Sequence, residues 1–226
     1  MPAPGKRRAI TPLMDSTLTI LSLIGAAVFA ISGALVAEEE RLDLIGALFL
    51  AVATAIGGGT IVDLMVGHAP VRWIENPTPL WIAAGAGLAT FAAVRLIAHA
   101  MQARVTHAAL IWADAAGLSV FTATGMERLA QYEFDPVVWI FLAAIGASGG
   151  GILRDVLANR TPIVFSPDTE LYVTAAFAGG GAYVAATFSP YPMAPLLAAL
   201  VVTATVRAAG IVFKIKLGIM RPPKRG

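Results

Sequence analysis

Gly57-Gly58-Gly59-Thr60-Ile61-Val62-Asp63 and Gly149-Gly150-Gly151-Ile152-Leu153-Arg154-Asp155 are one phrase written twice, each inside a long apolar stretch. A helix interior loses roughly 1 kcal/mol for each glycine relative to alanine, so three in a row are not there for helix stability. They predict places where a helix breaks or kinks and leaves its backbone groups available. Each triplet is followed, four residues after its last glycine, by an acid: Asp63 in the first copy and Asp155 in the second.

The duplication extends well beyond the glycines. At the constant offset of 92 that takes Gly57 to Gly149, Gly25 meets Gly117, Phe29 meets Phe121 and Gly33 meets Gly125. Further along, Phe49-Leu50 meets Phe141-Leu142, Asp63 meets Asp155, Pro70 meets Pro162 and Gly87 meets Gly179. Small and apolar residues coincide by chance fairly often, but an ungapped register across three successive apolar spans does not.

Composition sets the class. The chain has 226 residues, 58% hydrophobic and 13% charged, with a mean hydropathy of +0.77. A soluble domain cannot hide that much apolar surface, so the sequence predicts an all-α polytopic membrane protein. Seven stretches are long enough to span a bilayer: 17–37, 42–66, 80–98, 106–126, 136–158, 170–188 and 194–213. They group as a single transmembrane domain over 1–226: repeat 1 in 17–98, repeat 2 in 106–188, and one C-terminal span in 194–213. Three spans per unit is an odd number, so the second unit enters the membrane from the opposite side, an inverted repeat. Spans two and five carry the glycine triplets and are expected to be broken there. Lys6, Arg7 and Arg8 before the first span, with Ala34-Leu35-Val36-Ala37 near its end, resemble a secretory leader. Because that span belongs to the repeat, it reads as retained.

Charge speaks to orientation. A net charge of +2 does not point to nucleic acid. Lys6, Arg7, Arg8, Arg72 and Arg128 fall on the N-terminal face, and Arg41, Arg104, Arg160, Lys214, Lys216, Arg221, Lys224 and Arg225 on the other. The excess of Lys and Arg predicts a cytoplasmic C-terminus. The chain has no cysteine, which excludes disulfides, thiol catalysis and thiolate metal sites.

At membrane depth, bare backbone is tolerated where it is buried in protein or lines a water-filled cavity. A broken helix offers carbonyls to cations and N–H groups to anions, so Gly57, Gly58, Gly59, Gly149, Gly150 and Gly151 are candidates to line a pathway. Close helix packing is the simpler use of the same glycines. Asp63 and Asp155 either favour a helix start through its dipole or face a cavity or partner, since charge at that depth is costly. Arg154 breaks the symmetry, its counterpart being Val62; the expectation is that it reaches across to Asp63. Thr54 and Ser148 precede the glycines and could coordinate a dehydrating cation, or bond the carbonyl one turn back. Asp114 is a pore or ion-pair candidate, while Arg95 and Arg207 read as reaching to an interface. His68, His99 and His107 lack metal-ligand spacing, and Trp73, Trp81, Trp139 and Tyr132 fit an aromatic belt. Glu38-Glu39-Glu40 reads as a solvated loop. No phosphate-binding loop, zinc motif or nucleophile–base arrangement is present, so neither an enzyme nor a cofactor or metal site is expected.

Gly57 to Asp63 with Pro70-Val71-Arg72-Trp73-Ile74, and Ala147 to Asp155 with Pro162, resemble the duplicated domain of the prokaryotic TRIC (trimeric intracellular cation) channels, also catalogued as a bacterial glycine-transporter domain. The resemblance covers spans one to six. It implies a homotrimer whose protomers each hold a pore between the two glycine-kinked helices, passing potassium and, less selectively, sodium. It also implies membrane lipids as partners and a bacterial inner membrane as the setting. A secondary transporter for a small zwitterion such as glycine is the alternative, because inverted repeats with broken helices serve transporters too.

Overall fold

A computed structural model describes residues 12–97, 103–166 and 171–216. Among the described residues eight α-helices are formed: α1 (Pro12–Glu39), α2 (Leu44–Met65), the single turn α3 (Arg72–Glu75), α4 (Thr78–Ile97), α5 (Ala103–Leu129), α6 (Pro136–Leu157), α7 (Tyr172–Ala186) and α8 (Ala194–Phe213). A 3-10 turn, Ile163–Phe165, stands between α6 and α7 as α3 stands between α2 and α4. The two glycine-bearing helices start alike: Asp43 accepts the N–H of Gly46 at 2.7 Å, and its counterpart Asp135 accepts that of Val137 at 2.9 Å. Each side chain satisfies a donor that the first turn leaves without an intrahelical partner.

Six of these helices, all but α3 and α7, are long and apolar enough to cross a membrane. The sixth expected span is represented by α7, whose 15 residues cover about 22 Å at 1.5 Å per residue, short of a hydrocarbon core of about 30 Å. Residue 170, where that span was expected to begin, lies outside the described residues.

The packing is reciprocal. Phe29 on α1 stacks on Phe121 on α5, with ring centroids 5.2 Å apart and planes 14° from parallel. These two are repeat counterparts, so each touches its own mate, which happens only beside a two-fold axis. Gly25 lies against Phe121, and its counterpart Gly117 lies against Phe29. Where α2 crosses α6, Gly58 faces the carbonyl of Gly146, and Gly150 faces the carbonyl of Thr54. Again these are the same contact seen from either half. Gly57 meets Leu153 and Gly149 meets Ile61. Contacts pair rising numbers on one helix with falling numbers on the other, so α2 and α6 run antiparallel.

The helices do not break at the triplets. Both α2 and α6 continue as helix through all three glycines. A Cβ at Gly58 would collide with the Gly146 carbonyl, and one at Gly150 with that of Thr54. Close backbone approach is therefore what consumes these glycines, as in small-xxx-small crossings of membrane helices. The local helical hydrogen bonds survive because the close contact lies to one side of each helix.

The halves differ where α8 intrudes. Gly87 of α4 packs on Ala51 of α2, whereas its counterpart Gly179 of α7 packs on Ala199 and Thr203 of α8. A second difference opens space: a Cβ at Gly33 would sit 2.8 Å from Ala51 Cα, but one at Gly125 would sit 3.7 Å from Ala143 Cα.

Candidate functional site

The third glycine of each triplet points away from the crossing, and here the halves part. A Cβ at Gly59 meets no described atom within 4 Å. Gly59 lines a cleft of about 340 Å³ with Ser22, Thr60, Asp63, Trp73 and Arg128. Adjoining it, a cavity of about 50 Å³ between α2, α5 and α6 is lined by Val62, Gly125, Ala143 and Gly146. Gly59, Arg72, Phe121 and Arg128 border both spaces. The cleft lies at the end of the molecule where α1 begins and α2 and α5 finish. In the other half, a Cβ at Gly151 would lie 3.3 Å from Asp114 Oδ1 and from the Tyr172 hydroxyl, and 3.7 Å from Arg154 Nη2.

The two acids do the same work in both copies. Asp63 accepts the backbone N–H of Arg72, the first residue of α3, at 3.0 Å. Asp155 accepts that of Ile163, the first residue of the 3-10 turn, at 2.9 Å. Each carboxylate thus caps the helical turn after its own helix and folds the connection back against the helix end. Each also takes an arginine, but from different places. Asp63 pairs with the Arg72 guanidinium, whereas Asp155 takes Arg154 Nε at 2.8 Å.

Arg154 does not reach Asp63. Its side chain is fully buried, and Nη1 donates to Asp114 Oδ1 at 2.6 Å and to the Ser32 hydroxyl. Asp155, next in sequence, still takes Nε because the long arginine side chain bends back along its own helix. Such a charge is tolerable only because carboxylates surround it. Arg207, expected near an interface, is also buried, with its guanidinium 5.0 Å from the Tyr172 ring centroid. A guanidinium over an aromatic face gains from the ring quadrupole. Arg95 is exposed over the ring of Phe91.

Thr54 and Ser148 bond the carbonyls one turn back, to Leu50 at 2.6 Å and Ala144 at 2.7 Å. Trp73 belongs to the cleft rather than to an outer belt: its indole N–H donates to Thr60 at 2.9 Å. The acidic loop is a clasp, since Arg160 bonds Glu39 at 2.7 Å and Glu40 at 2.8 Å. His68 lies 3.5 Å from Glu75 and His107 lies 3.8 Å from Glu39, while His99 is outside the described residues. Three residues carry more than the sequence signalled. Arg72 and Arg128 had entered as charges that set orientation, Arg72 also within the Pro70–Ile74 motif, yet they border the cleft, where Arg128 donates to Ser22 at 2.7 Å. Glu127, buried on α5, accepts from Tyr183 at 2.7 Å; its adjacency to Arg128 hid it in a basic helix end.

Comparison with known proteins agrees with this arrangement. A family model described as a glycine transporter matches twice, over residues 19–95 and 111–187. The UPF0126 inner membrane protein YadS of Escherichia coli (strain K12) is 40% identical over 200 residues, covering 87% of this chain and 93% of its own. A UPF0126 membrane protein of Vibrio cholerae is 36% identical over 208 residues, covering 92% and 84% respectively. Among solved structures, the TRIC trimeric intracellular cation channel orthologue from Rhodobacter sphaeroides superposes with a TM-score of 0.79 at 36% identity, over 88% of this chain and 100% of that one. A prokaryotic TRIC channel crystallised in 0.5 M KCl gives a TM-score of 0.82 at 30% identity, over 90% and 100%. These structures are ion channels and not enzymes. With both halves matched and the reciprocal helix packing on view, the chain belongs to the TRIC cation-channel family.

Proposed function

We propose that this protein is a potassium-permeable channel, less selective for sodium, whose pore lies within each protomer along the α2–α6 crossing. The observation that carries the reading is the contrast at Gly59: a cleft bordered by Ser22, Thr60, Asp63 and Arg128 reaches bare helix backbone past the middle of α2, whereas the mate Gly151 is closed in by Asp114, Tyr172 and Arg154. Backbone and hydroxyl oxygens at such a place replace a cation's hydration shell. Asp63 and Asp155 hold the connecting turns that frame the two ends of the path. The triplets at Gly57–Gly59 and Gly149–Gly151, continuous helix here, are the points where α2 and α6 bend as the path opens. Thr54 and Ser148 stand beside them.

The membrane arrangement follows from the same reading. The unit 17–98 and its inverted copy 106–188 supply six passes, with α7 as the short sixth, and 194–213 supplies a seventh. The chain sits among lipids as a homotrimer in a bacterial inner membrane, with its C-terminus in the cytoplasm.

A carrier for a small zwitterion such as glycine is the second reading. It is favoured by the description of the family model and by the cleft, where Arg128 and Glu75 would suit a carboxylate and an ammonium group. Purified protein in a planar bilayer separates the two. The channel reading expects unitary currents in potassium chloride that reverse at the potassium potential. Silent bilayers, with saturable, gradient-driven glycine uptake in vesicles, would overturn it.

A further inference from the structure

We infer that the cleft beside Gly59 is a binding site for a small organic acid, with its carboxylate on Arg128 and Ser22 and its apolar body against α1 and α2. The occupant is chosen by a charge left unmatched. Of the two arginines that border the cleft, Arg72 is paired with Asp63. Arg128, half-buried at the end of α5, donates to the Ser22 hydroxyl at 2.7 Å. Among the described residues no carboxylate stands within ion-pair distance of it, and Glu75, on the same cleft, lies 3.5 Å from His68. A guanidinium carries five N–H donors, and drawing it out of water without an anion is costly. Arg154, elsewhere in the bundle, is supplied from within the chain by Asp114 and Asp155. Arg128 has a hydroxyl in place of such a partner, beside a space that can admit one.

The fold does not require these polar groups. At the offset of 92, the mates of Arg128, Arg72, Thr60 and Trp73 are Val36, Val164, Ile152 and Phe165. Each polar group thus has an apolar mate, which marks a site rather than a packing need. The rest of the wall sets the body of the ligand. Leu23, Ala26, Ala55, Ile56 and Phe121 line the cleft with apolar surface, and its volume is about 340 Å³. Small-molecule sites span roughly 300–1,000 Å³. A carboxylate makes two parallel bonds with a guanidinium fork, and a short alkyl or aryl body gains by leaving water. Such a molecule lies over the bare backbone of Gly59. It then closes, from the N-terminal face, the path proposed above; this consequence alone rests on the permeation reading.

Calorimetric titration of the purified protein with sodium butyrate tests the site without reference to transport. Saturable binding is expected, several-fold tighter than for acetate, whose body is two methylenes shorter. Arg128→Gln is expected to weaken it by on the order of tenfold, Arg128→Lys by less, and Arg95→Gln, on the exposed side of α4, not at all. Ser22→Asp gives Arg128 a tethered carboxylate, so it is expected to abolish binding while keeping the charge paired. It carries the test should Arg128→Gln not fold. In planar bilayers, butyrate on the N-terminal face is expected to lower the potassium current of the parent saturably. Binding with no current from any variant keeps the site and removes the channel reading. Equal affinity in the parent, Arg128→Gln and Ser22→Asp, or no binding alongside ordinary potassium currents, overturns the inference and leaves the channel. Inorganic phosphate or glycine bound more tightly than butyrate overturns the ligand class, and a current indifferent to saturating butyrate overturns the closure.

Discussion

Asp63 and Asp155 show how one chemical task is preserved while its surroundings change. Both cap the turn that follows their helix, but Asp63 pairs with Arg72, whose side chain is 32% exposed, and Asp155 with Arg154, which is fully buried. Removing a carboxylate leaves a buried donor unsatisfied, at a cost of about 1–3 kcal/mol. Water can repay much of that loss at Arg72 and none at Arg154. Asp155→Asn is therefore expected to lower the unfolding temperature in detergent more than Asp63→Asn; equal losses would mean that the capped turn, and not the ion pair, sets the cost. The positions of both acids were legible from the repeat. Their partners were not, because Arg154 meets Asp114 from a helix 40 residues away, and helix–helix register is decided by packing rather than by spacing along the chain. Arg72 escaped for a related reason: nothing in its sequence says that the connection after α2 folds back.

Glycine triplets read one-dimensionally look like helix breakers, and this is where the sequence reading was corrected. Their energetic penalty is real, but the close crossing of α2 and α6 accounts for it. The spacing was available: Thr54-xxx-Gly58 and Gly146-xxx-Gly150 are small-xxx-small pairs, a packing signal in membrane helices. Individual members of one triplet should then behave differently. Gly58→Ala and Gly150→Ala push a Cβ into a carbonyl and are expected to cost about 1–3 kcal/mol each, as overpacking does. Gly59→Ala, facing open space, is expected to gain about 0.4–1 kcal/mol by restricting the unfolded chain. Thermal unfolding of the three purified variants checks this, and uniform losses would return the triplet to a bending role.

At the scale of the whole molecule, α1 begins at the end of the molecule that holds the cleft, and α8 finishes at the other. Seven apolar stretches led the sequence to expect seven passes; six of the described helices are long and apolar enough to cross a membrane, and α7 is too short to be recognised by length. The excess of Lys and Arg on the C-terminal side predicts a cytoplasmic C-terminus. A C-terminal green fluorescent protein fusion is expected to fluoresce and an alkaline phosphatase fusion at the same point to be inactive; the reverse pattern would turn the cleft towards the cytoplasm.

The Phe29–Phe121 stack carries a last consequence. A residue in contact with its own counterpart is the hallmark of an isologous dimer interface, here enclosed within one polypeptide. The protein has the internal anatomy of two like subunits packed across that axis within one polypeptide. A substitution at either ring therefore acts on both halves at once, while the connection between α4 and α5 joins halves whose axis contacts are already complementary. Cutting the chain there and expressing 1–100 and 101–226 as separate polypeptides would leave the axis contacts to reassemble the membrane domain.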